Sequence, residues 1–198
     1  MAHRHQSHQC EGEVRVATLD RSVRRVALLR GINVGGRNIV PMAELRADLE
    51  ASGLEGVRTY IQSGNVVMDA SPEEPSVVAR RIADAIDARH GFRPQVLVLE
   101  SNDLQLAVAD NPFPDAESDP KALHMSFLTG PAAPDPRAID AVCSASERWA
   151  LHEKVFYLHA PDGIGRSKLA GRLDKLLGVP ATGRNLRTAR KLLAMIDE

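Results

Sequence analysis

The sequence is short of cysteine, of aromatic residues and of long apolar segments. Its two cysteines, Cys10 and Cys143, form no Cys-x-x-Cys pair and no disulfide framework, which fits a reducing compartment. No apolar run approaches the about 20 residues that a membrane-spanning helix needs, so no membrane association is predicted. The N-terminus lacks the apolar core of a signal peptide, and we therefore expect a cytoplasmic protein. A formal net charge of -1 argues against a general polyanion binder.

The remaining composition is that of an ordinary globular protein, with 198 residues, of which 43% are hydrophobic and 26% are charged. This length suits one compact unit or two small ones. Residues 1–24 show no pattern of a packed element and are predicted to form a flexible extension. The spacing of His3, His5, His8 and Cys10 within it matches no closed zinc site, so we predict no metal and no other cofactor.

Residues 25–100 carry the patterns of strands and helices in the order βαββαβ. Val26–Leu29 is an unbroken apolar run, typical of a strand that is covered on both faces. Pro41 suits the first position of a helix, and Gly53 suits its end. The predicted elements are a strand at Val26–Leu29, a helix from Pro41 to Gly53, strands at Val57–Ile61 and Val66–Met68, a helix from Ser71 to Gly91 and a strand at Gln95–Leu99.

Residues 101–120 are predicted to be an acidic linker. The stretch from Glu100 to Asp119 contains six acidic residues and no lysine or arginine, and Asn111–Asp115 contains two prolines. A short helix over Asp103–Asp110 fits within this linker.

Residues 121–198 repeat the order of elements and add one helix. Gly130 corresponds to Gly31, and the glycine and proline of Gly178–Pro180 correspond to those of Gly91–Pro94. The predicted elements are a strand at His124–Leu128, a helix at Arg137–Ser144, a hairpin of Trp149–Leu151 and Val155–Leu158, and helices at Ser167–Leu177 and Thr188–Ile196.

The sequence therefore predicts an α+β fold, a tandem duplication of two ferredoxin-like βαββαβ units plus a C-terminal helix. The units span residues 25–100 and 121–198. Because Val26–Leu29 needs cover on both faces, we expect the two sheets to share an interface.

The most unusual stretch is the glycine-rich loop between the first strand and the first helix. Its backbone N–H groups and the N-terminus of the helix suit a phosphate or carboxylate, and its side chains add donors. The spacing matches neither GxGxxG nor GxxxxGKS/T, so neither nucleotide-binding mechanism is assigned. The alternative is a tight loop whose glycines adopt positive φ while asparagines satisfy the backbone. The candidate ligand-binding residues are Arg30, Asn33, Gly35, Gly36, Arg37 and Asn38.

Three further polar segments are candidates for the same site. They provide Gln62, Ser63 and Asn65 at the first hairpin tip, Ser167 and Lys168 at a helix start, and Arg184 and Asn185 before the last helix. Each has a structural alternative. The first segment suits a tight turn, the second an N-cap at Ser167, and the third an internal ion-pair clasp or a cap at Thr188. A common site would be a cleft between Arg30–Asn38, Gln62–Asn65, Gly163–Lys168 and Arg184–Thr188.

The candidate loops offer no residue to which catalysis can be assigned. They contain no cysteine and no paired carboxylates, and no Ser/His/Asp group can be assembled without arbitrary choice. His124, His152 and His159 lie on or beside predicted strands without the spacing of metal ligands. The sequence leaves open whether the protein is an enzyme.

Three functions are compatible with these features. The first is binding of a small anionic ligand, phosphate-like or nucleotide-like, by the polar loops. The second is a nucleic-acid-binding module, because residues 161–196 contain eight Lys or Arg and two Asp, and Phe156 and Tyr157 are aromatic residues that could stack on bases. The third is a structural protein that self-associates through exposed sheet faces. The oligomeric state is not predicted.

Three motifs resemble those of one known family. They are LRGINVGGRNIVPMAELR at Leu29–Arg46, TYIQSGNVV at Thr59–Val67 and T-x-R-N-x-x-T-x-x-K-L at Thr182–Leu192. Over about Arg25–Ile196 the chain is similar to the domain of unknown function 1697 family of uncharacterised bacterial proteins. The resemblance implies a duplicated ferredoxin-like α+β architecture and implies no activity. In the third motif the family has Trp after Arg-Asn, where this chain has Leu186.

Overall fold

The computed structural model describes residues 23–70 and 73–198. Within these residues the chain forms eight strands and six α-helices, none of them long and apolar enough to cross a membrane. The predicted extension with His3, His5, His8 and Cys10, and the predicted helix start at Ser71, lie outside the described residues. The strands are β1 (Val23–Arg30), β2 (Glu55–Tyr60), β3 (Asn65–Ala70), β4 (Gln95–Glu100), β5 (Leu123–Leu128), β6 (Arg148–His152), β7 (Val155–His159) and β8 (Ala181–Asn185). The helices are α1 (Met42–Ala51), α2 (Pro75–His90), α3 (Ser101–Ala109), α4 (Pro136–Asp140), α5 (Lys168–Leu177) and α6 (Leu186–Asp197).

The first sheet is antiparallel and has the strand order β2-β3-β1-β4. Val26 of β1 lies opposite Val67 of β3 on one side and Leu99 of β4 on the other. Helices α1 and α2 cover one face of this sheet, because their apolar stripes, which include Leu45 and Ile82, pack against it. The first half of the chain thus has the element order that the sequence predicted.

The second sheet is also antiparallel and has the equivalent order β6-β7-β5-β8. Its outer face is covered by α5, whose Leu169, Leu173 and Leu177 recur every fourth residue and are buried. This helix begins where predicted, since Ser167 Oγ accepts a hydrogen bond from Ala170 N at 3.0 Å.

The inner faces of the two sheets meet in a shared core. Leu28 of β1 and Tyr157 of β7 belong to one apolar cluster with Leu104 of α3 and Leu192 of α6. β1 is therefore covered on both faces, as its unbroken apolar run predicted. Within the described residues both faces of each sheet carry packed cores, so self-association through exposed sheet faces has no free face to use.

The short helix expected within the acidic segment is present as α3, and its Leu104 and Ala107 lie in the shared core. One segment differs from its predicted assignment. The polar segment Ala181–Asn185 forms β8, to which the sequence analysis assigned no strand. Pairing with β5 makes it a strand, although its side chains have little strand propensity.

Candidate functional site

The loop between β1 and α1 is a small, tightly turned hairpin. Arg37 N donates to Val34 O at 3.1 Å, and the two residues form an isolated antiparallel bridge. Gly35 and Gly36 between them have φ of 58° and 74°, the two positive values that a type I′ turn requires. All four residues are exposed. The glycines shape a projecting turn that ends before α1 begins.

Two asparagines hold this loop in one shape. Asn33 N donates to Asn38 O at 3.0 Å, and Asn38 Nδ2 donates to Gly31 O at 2.9 Å. Asn33 Oδ1 accepts from Val40 N at 2.8 Å, while its Nδ2 donates to Val40 O at 3.0 Å. Both asparagines have a φ of 53°, in the left-handed region that Asn tolerates better than most residues. Their side chains are thus used to build the loop, as the structural alternative predicted.

The tip of the β2–β3 hairpin lies beside this loop. Asn33 Nδ2 donates to Gln62 O at 2.9 Å, so the first two candidate segments are in contact. Asn65 is fully buried, and its Nδ2 donates to Tyr60 O and to Ser63 Oγ, each at 3.0 Å. Its amide fastens the turn from inside, whereas Gln62 and Ser63 are exposed.

Arg184 of β8 reaches this tip from the second half of the chain. Its Nη2 donates to Leu29 O at 2.9 Å, to Ser63 O at 2.9 Å and to Gly64 O at 3.1 Å. Its Nε donates to Asn65 Oδ1. Arg184 therefore joins the two halves through uncharged acceptors, and among the described residues it does not form the ion pair that the clasp alternative expected.

Uncharged oxygens surround the guanidinium of Arg184. Its five hydrogen bonds go to four backbone carbonyls and one side-chain amide. Burial lowers the pKa of Arg184 to about 10, so the side chain still carries its charge at neutral pH. Nη1 carries two N–H groups, of which one donates to Gly183 O at 2.8 Å. The other has no acceptor among the described residues.

Neither Arg30 nor the segment Gly163–Lys168 is hydrogen-bonded to the Arg184 side chain within the described part of the chain. Arg30 Nη1 is ion-paired with Asp174 Oδ2 of α5 at 2.6 Å. Lys168, at the start of α5, is about 9 Å from Asp174 along the helix axis, and Ser167 caps that start. The structure brings together the glycine-rich loop, the hairpin tip and Arg184, and it places Ser167 and Lys168 at the other end of α5.

Asn185 is the N-cap of α6, so the expectation that Thr188 caps this helix is wrong. Asn185 Oδ1 accepts from Thr188 N at 2.9 Å, and the helix begins at Leu186. Asn185 has extended backbone angles and a short acceptor side chain, which together suit an N-cap. The motif T-x-R-N is thus the end of a strand followed by a helix cap.

The exposed surface above Arg184 combines apolar side chains with a cation. We call residues 31–40 and 61–64 together the double tip. The side chains of Val34, Ile39 and Ile61 are exposed by 64%, 57% and 49%, values unusual for large apolar residues. Arg37 stands on the same loop and is exposed. Exposed apolar side chains and a cation therefore lie together on this surface.

The basic residues of the last third are partly neutralised by acidic neighbours. Arg190 Nη2 lies 2.9 Å from Glu117 Oε2 in the acidic segment, and Lys191 Nζ lies 3.5 Å from Glu198 Oε1. Phe156 and Tyr157 are both buried, so neither is available to stack on a base. The two aromatic side chains that favoured a nucleic-acid-binding sheet are therefore used inside the fold.

Other titratable groups lie away from the double tip. Tyr157 Oη donates to Ala107 O at 2.9 Å, and burial raises the pKa of Tyr157 to about 12. His124 is half-buried on β5, and burial lowers its pKa. Within residues 23–70 and 73–198, no group of three or more His, Cys, Asp or Glu side chains is arranged to hold a metal.

Comparison with known proteins places the chain in a family. The family model described as a protein of unknown function (DUF1697) matches residues 23–157. The chain belongs to the DUF1697 family. The resemblance carried by the sequence motifs is thus confirmed, although the matched span ends within β7 and leaves the T-x-R-N motif outside. No curated protein matches the chain.

This DUF1697 member also resembles a solved structure. It is similar to the conserved bacterial protein SP0830 from Streptococcus pneumoniae, with 26% sequence identity and a TM-score of 0.61. The alignment covers 88% of this chain and 98% of that chain, so the likeness extends over both sheets. Neither comparison assigns an activity.

Proposed function

We propose that the protein binds a small anionic ligand, such as a phosphate ester or a nucleotide, at the double tip. Arg37, Gln62 and Ser63 are its exposed donors, and Arg184 lies directly beneath Ser63. The site leaves out Ser167 and Lys168, which lie at the far end of α5.

The uncompensated charge of Arg184 is the observation that carries this proposal. Arg184 is half-buried, and a guanidinium that is partly removed from water without a carboxylate partner is unfavourable, so a bound anion nearby would relieve part of that penalty. The free N–H of Nη1 is a donor that such an anion could use directly. Arg37, held on its type I′ turn, adds a second positive charge to the same surface.

The rigidity of the double tip supports the same function. The side chains of Asn33 and Asn38 fix the loop, and Asn33 ties it to Gln62 of the tip. A surface that is ordered before binding loses little conformational entropy when a ligand arrives, so a few donors suffice for measurable affinity.

The two halves that frame this site are, we propose, ferredoxin-like units related by tandem duplication. The equivalent orders β2-β3-β1-β4 and β6-β7-β5-β8 support this, as does the βαββαβ sequence of elements in each half. The polar loop after β1 has no counterpart after β5, where Thr129 and Gly130 follow directly. Duplication of the scaffold with one loop elaborated is a common way to place a site.

Titration of the full chain with inorganic phosphate, AMP and ATP tests the anion site. We expect each binding ligand to raise the melting temperature above that in sodium chloride of equal ionic strength. Arg37→Ala should weaken binding about tenfold, since one charge-assisted contact is lost. In nitrogen-15 spectra the Nε resonance of Arg184 should shift on titration, because the ligand binds beside its guanidinium.

Arg137→Ala is the matched control, because Arg137 is an exposed arginine on α4 in the second half. It should bind phosphate esters as the natural protein does. The proposal fails if no anion raises the melting temperature above the salt control and the Arg184 resonance does not move. It also fails if Arg37→Ala and Arg137→Ala weaken binding equally, since this indicates attraction by net charge alone.

A further inference from the structure

A second surface, which shares no residue with the double tip, lies along the edge of β4. The described sheets have four edge strands, β2, β4, β6 and β8. β2 has a register shift between Glu55 and Arg58. β6 begins at Arg148 and ends at His152, and β8 contains Arg184. Bulges and charges of this kind discourage pairing with further strands. β4 differs from all three.

β4 has the features of an edge that accepts another strand. Its four central residues, Val96–Leu99, are apolar without interruption, and its ladder to β1 is regular over the whole strand. An exposed, regular, apolar edge offers a row of backbone donors and acceptors to an extended segment.

Two cavities flank this edge. One, of about 690 Å³, lies between β4 and α2 and is lined by Ala79, Arg80 and Ala83. The other, of about 600 Å³, lies between β4 and α3 and is lined by Leu106 and other α3 residues. Pro75, Leu97, Val98, Thr129 and Lys154 line both cavities, so the two form one groove along the strand.

The cavities lie where the side chains of an added strand would go. Val96 and Val98 of β4 pack on the α2 side of the sheet, and Leu97 and Leu99 pack on the α3 side. A strand paired with β4 has the same alternation, so its successive side chains would enter the two cavities in turn.

The chemistry of the two cavities differs and defines the occupant. On the α2 side, Ala79 and Ala83 leave room for apolar side chains beside Val96 and Val98, and Glu74 and Arg80 also line this cavity. On the α3 side, Asp103, Leu106 and Asp110 are spaced three or four residues apart on one helical face, and Leu106 is 50% exposed. Glu153 adds a third carboxylate to this cavity, against one cation at Lys154. An added strand with Lys or Arg at every second position fits this side, because the aliphatic part of each side chain can contact Leu106 while its charge faces the carboxylates.

We propose that the groove along β4 binds an extended segment of a partner protein by β-strand addition. The segment has apolar residues at alternate positions, facing α2, and Lys or Arg at the positions between them, facing Asp103 and Asp110. Thr129 and Lys154 of the second half form part of the groove wall.

Fluorescence polarisation of the full chain with a labelled peptide of alternating lysine and valine, about seven residues long, tests this proposal. We expect saturable binding that Asp110→Asn weakens about fivefold, since one partly exposed charge pair is lost. Asp87→Asn, an exposed acidic position on α2 that does not line the groove, is the matched control and should bind as the natural protein does. Hydrogen exchange at the amides of Val96–Leu99 should slow when the peptide is bound.

Two further peptides and one sedimentation experiment complete the test. A peptide of the same composition with its valines in one block, and one with glutamate in place of lysine, should bind at least tenfold more weakly. The proposal is overturned if the block peptide binds as tightly as the alternating peptide, or if the alternating peptide does not bind at about 1 mM. It is also overturned if the peptide leaves hydrogen exchange in β4 unchanged. The proposal is also overturned if sedimentation shows that the chain is a dimer and that Leu97→Lys dissociates it. In that case a second copy of the chain, and not a partner segment, occupies the β4 edge.

Discussion

Arg184 on β8 donates a hydrogen bond from Nε to Oδ1 of Asn65, which is fully buried at the start of β3. The amide of Asn65 also donates to Tyr60 O and Ser63 Oγ at 3.0 Å, and these two bonds stabilise the turn. One side chain thus shapes the hairpin tip and receives the cation that joins the second half of the chain to the first. The candidate ligand surface and the junction between the halves are the same place.

Replacement of Arg184 by lysine should destabilise the protein by about 2–3 kcal/mol. A lysine ammonium has three donors on a single atom and cannot reach Asn65 Oδ1 and the carbonyls of Leu29 and Ser63 together. Urea unfolding gives the free energy change. Arg187→Lys, at an exposed position on the same segment, should change stability by less than about 0.5 kcal/mol. If Arg184→Lys also lowers the free energy of unfolding by less than about 0.5 kcal/mol, the hydrogen bonds of Arg184 contribute little to stability.

Gly64→Ala should be much more damaging than Gly35→Ala. Both glycines have positive φ, 77° and 58°, so each alanine costs about 1–2 kcal/mol in backbone strain. A Cβ on Gly64 would lie 2.8 Å from Leu29 Cβ and 3.0 Å from Leu29 O, whereas a Cβ on Gly35 meets nothing within 4 Å. We therefore expect a total of about 3–4 kcal/mol at Gly64, measured by urea unfolding. Equal losses at the two positions would contradict the close approach of the hairpin tip to β1.

Asn33→Ala should destabilise the protein more than Asn38→Ala. The two residues have the same φ of 53°, so the backbone strain of the two alanines is matched. The side chain of Asn33 makes three hydrogen bonds, to Val40 N, Val40 O and Gln62 O, whereas that of Asn38 makes one, to Gly31 O. The expected difference is about 1–2 kcal/mol in the free energy of unfolding. If Asn38→Ala is the worse of the two, the loop is held together differently.

The sequence predicts those parts of this fold that have a local apolar pattern. The apolar run of β1 and the Leu169, Leu173 and Leu177 stripe of α5 are sufficient to place a covered strand and a helix. β8 was not predicted because Ala181–Asn185 has no such pattern and becomes a strand only through pairing with β5. Long-range tertiary contact decides such segments, and a single sequence does not record it.

The candidate site shows the same limit at the level of side chains. The structural role of Asn33 and Asn38 was recognisable from the sequence, because asparagine beside glycine suits a tight loop. The partner of Arg184 was not recognisable from the sequence, because Asn65 lies 119 positions away and in the other half of the chain. Likewise Arg30 is a candidate anion ligand by its position after β1, yet it pairs with Asp174 of α5. Spacing identifies donors, but only the fold shows which of them are already used.

The stability of the protein should fall as the pH is lowered below the ordinary histidine pKa of 6.5, and His124 should account for part of that fall. Burial on β5 lowers the pKa of His124 below this value, although a hydrogen bond with the Lys121 backbone opposes the effect. The unfolded chain therefore binds more protons than the folded chain in the window below 6.5, so acid favours unfolding there, and above 6.5 the contribution of His124 to stability is fully present. Urea unfolding at pH 7.5 and pH 5.5 should show a smaller loss for His124→Gln than for the natural protein. Proton NMR of the His124 ring should give a midpoint below 6.5, and a midpoint above it would remove the physical basis of this prediction.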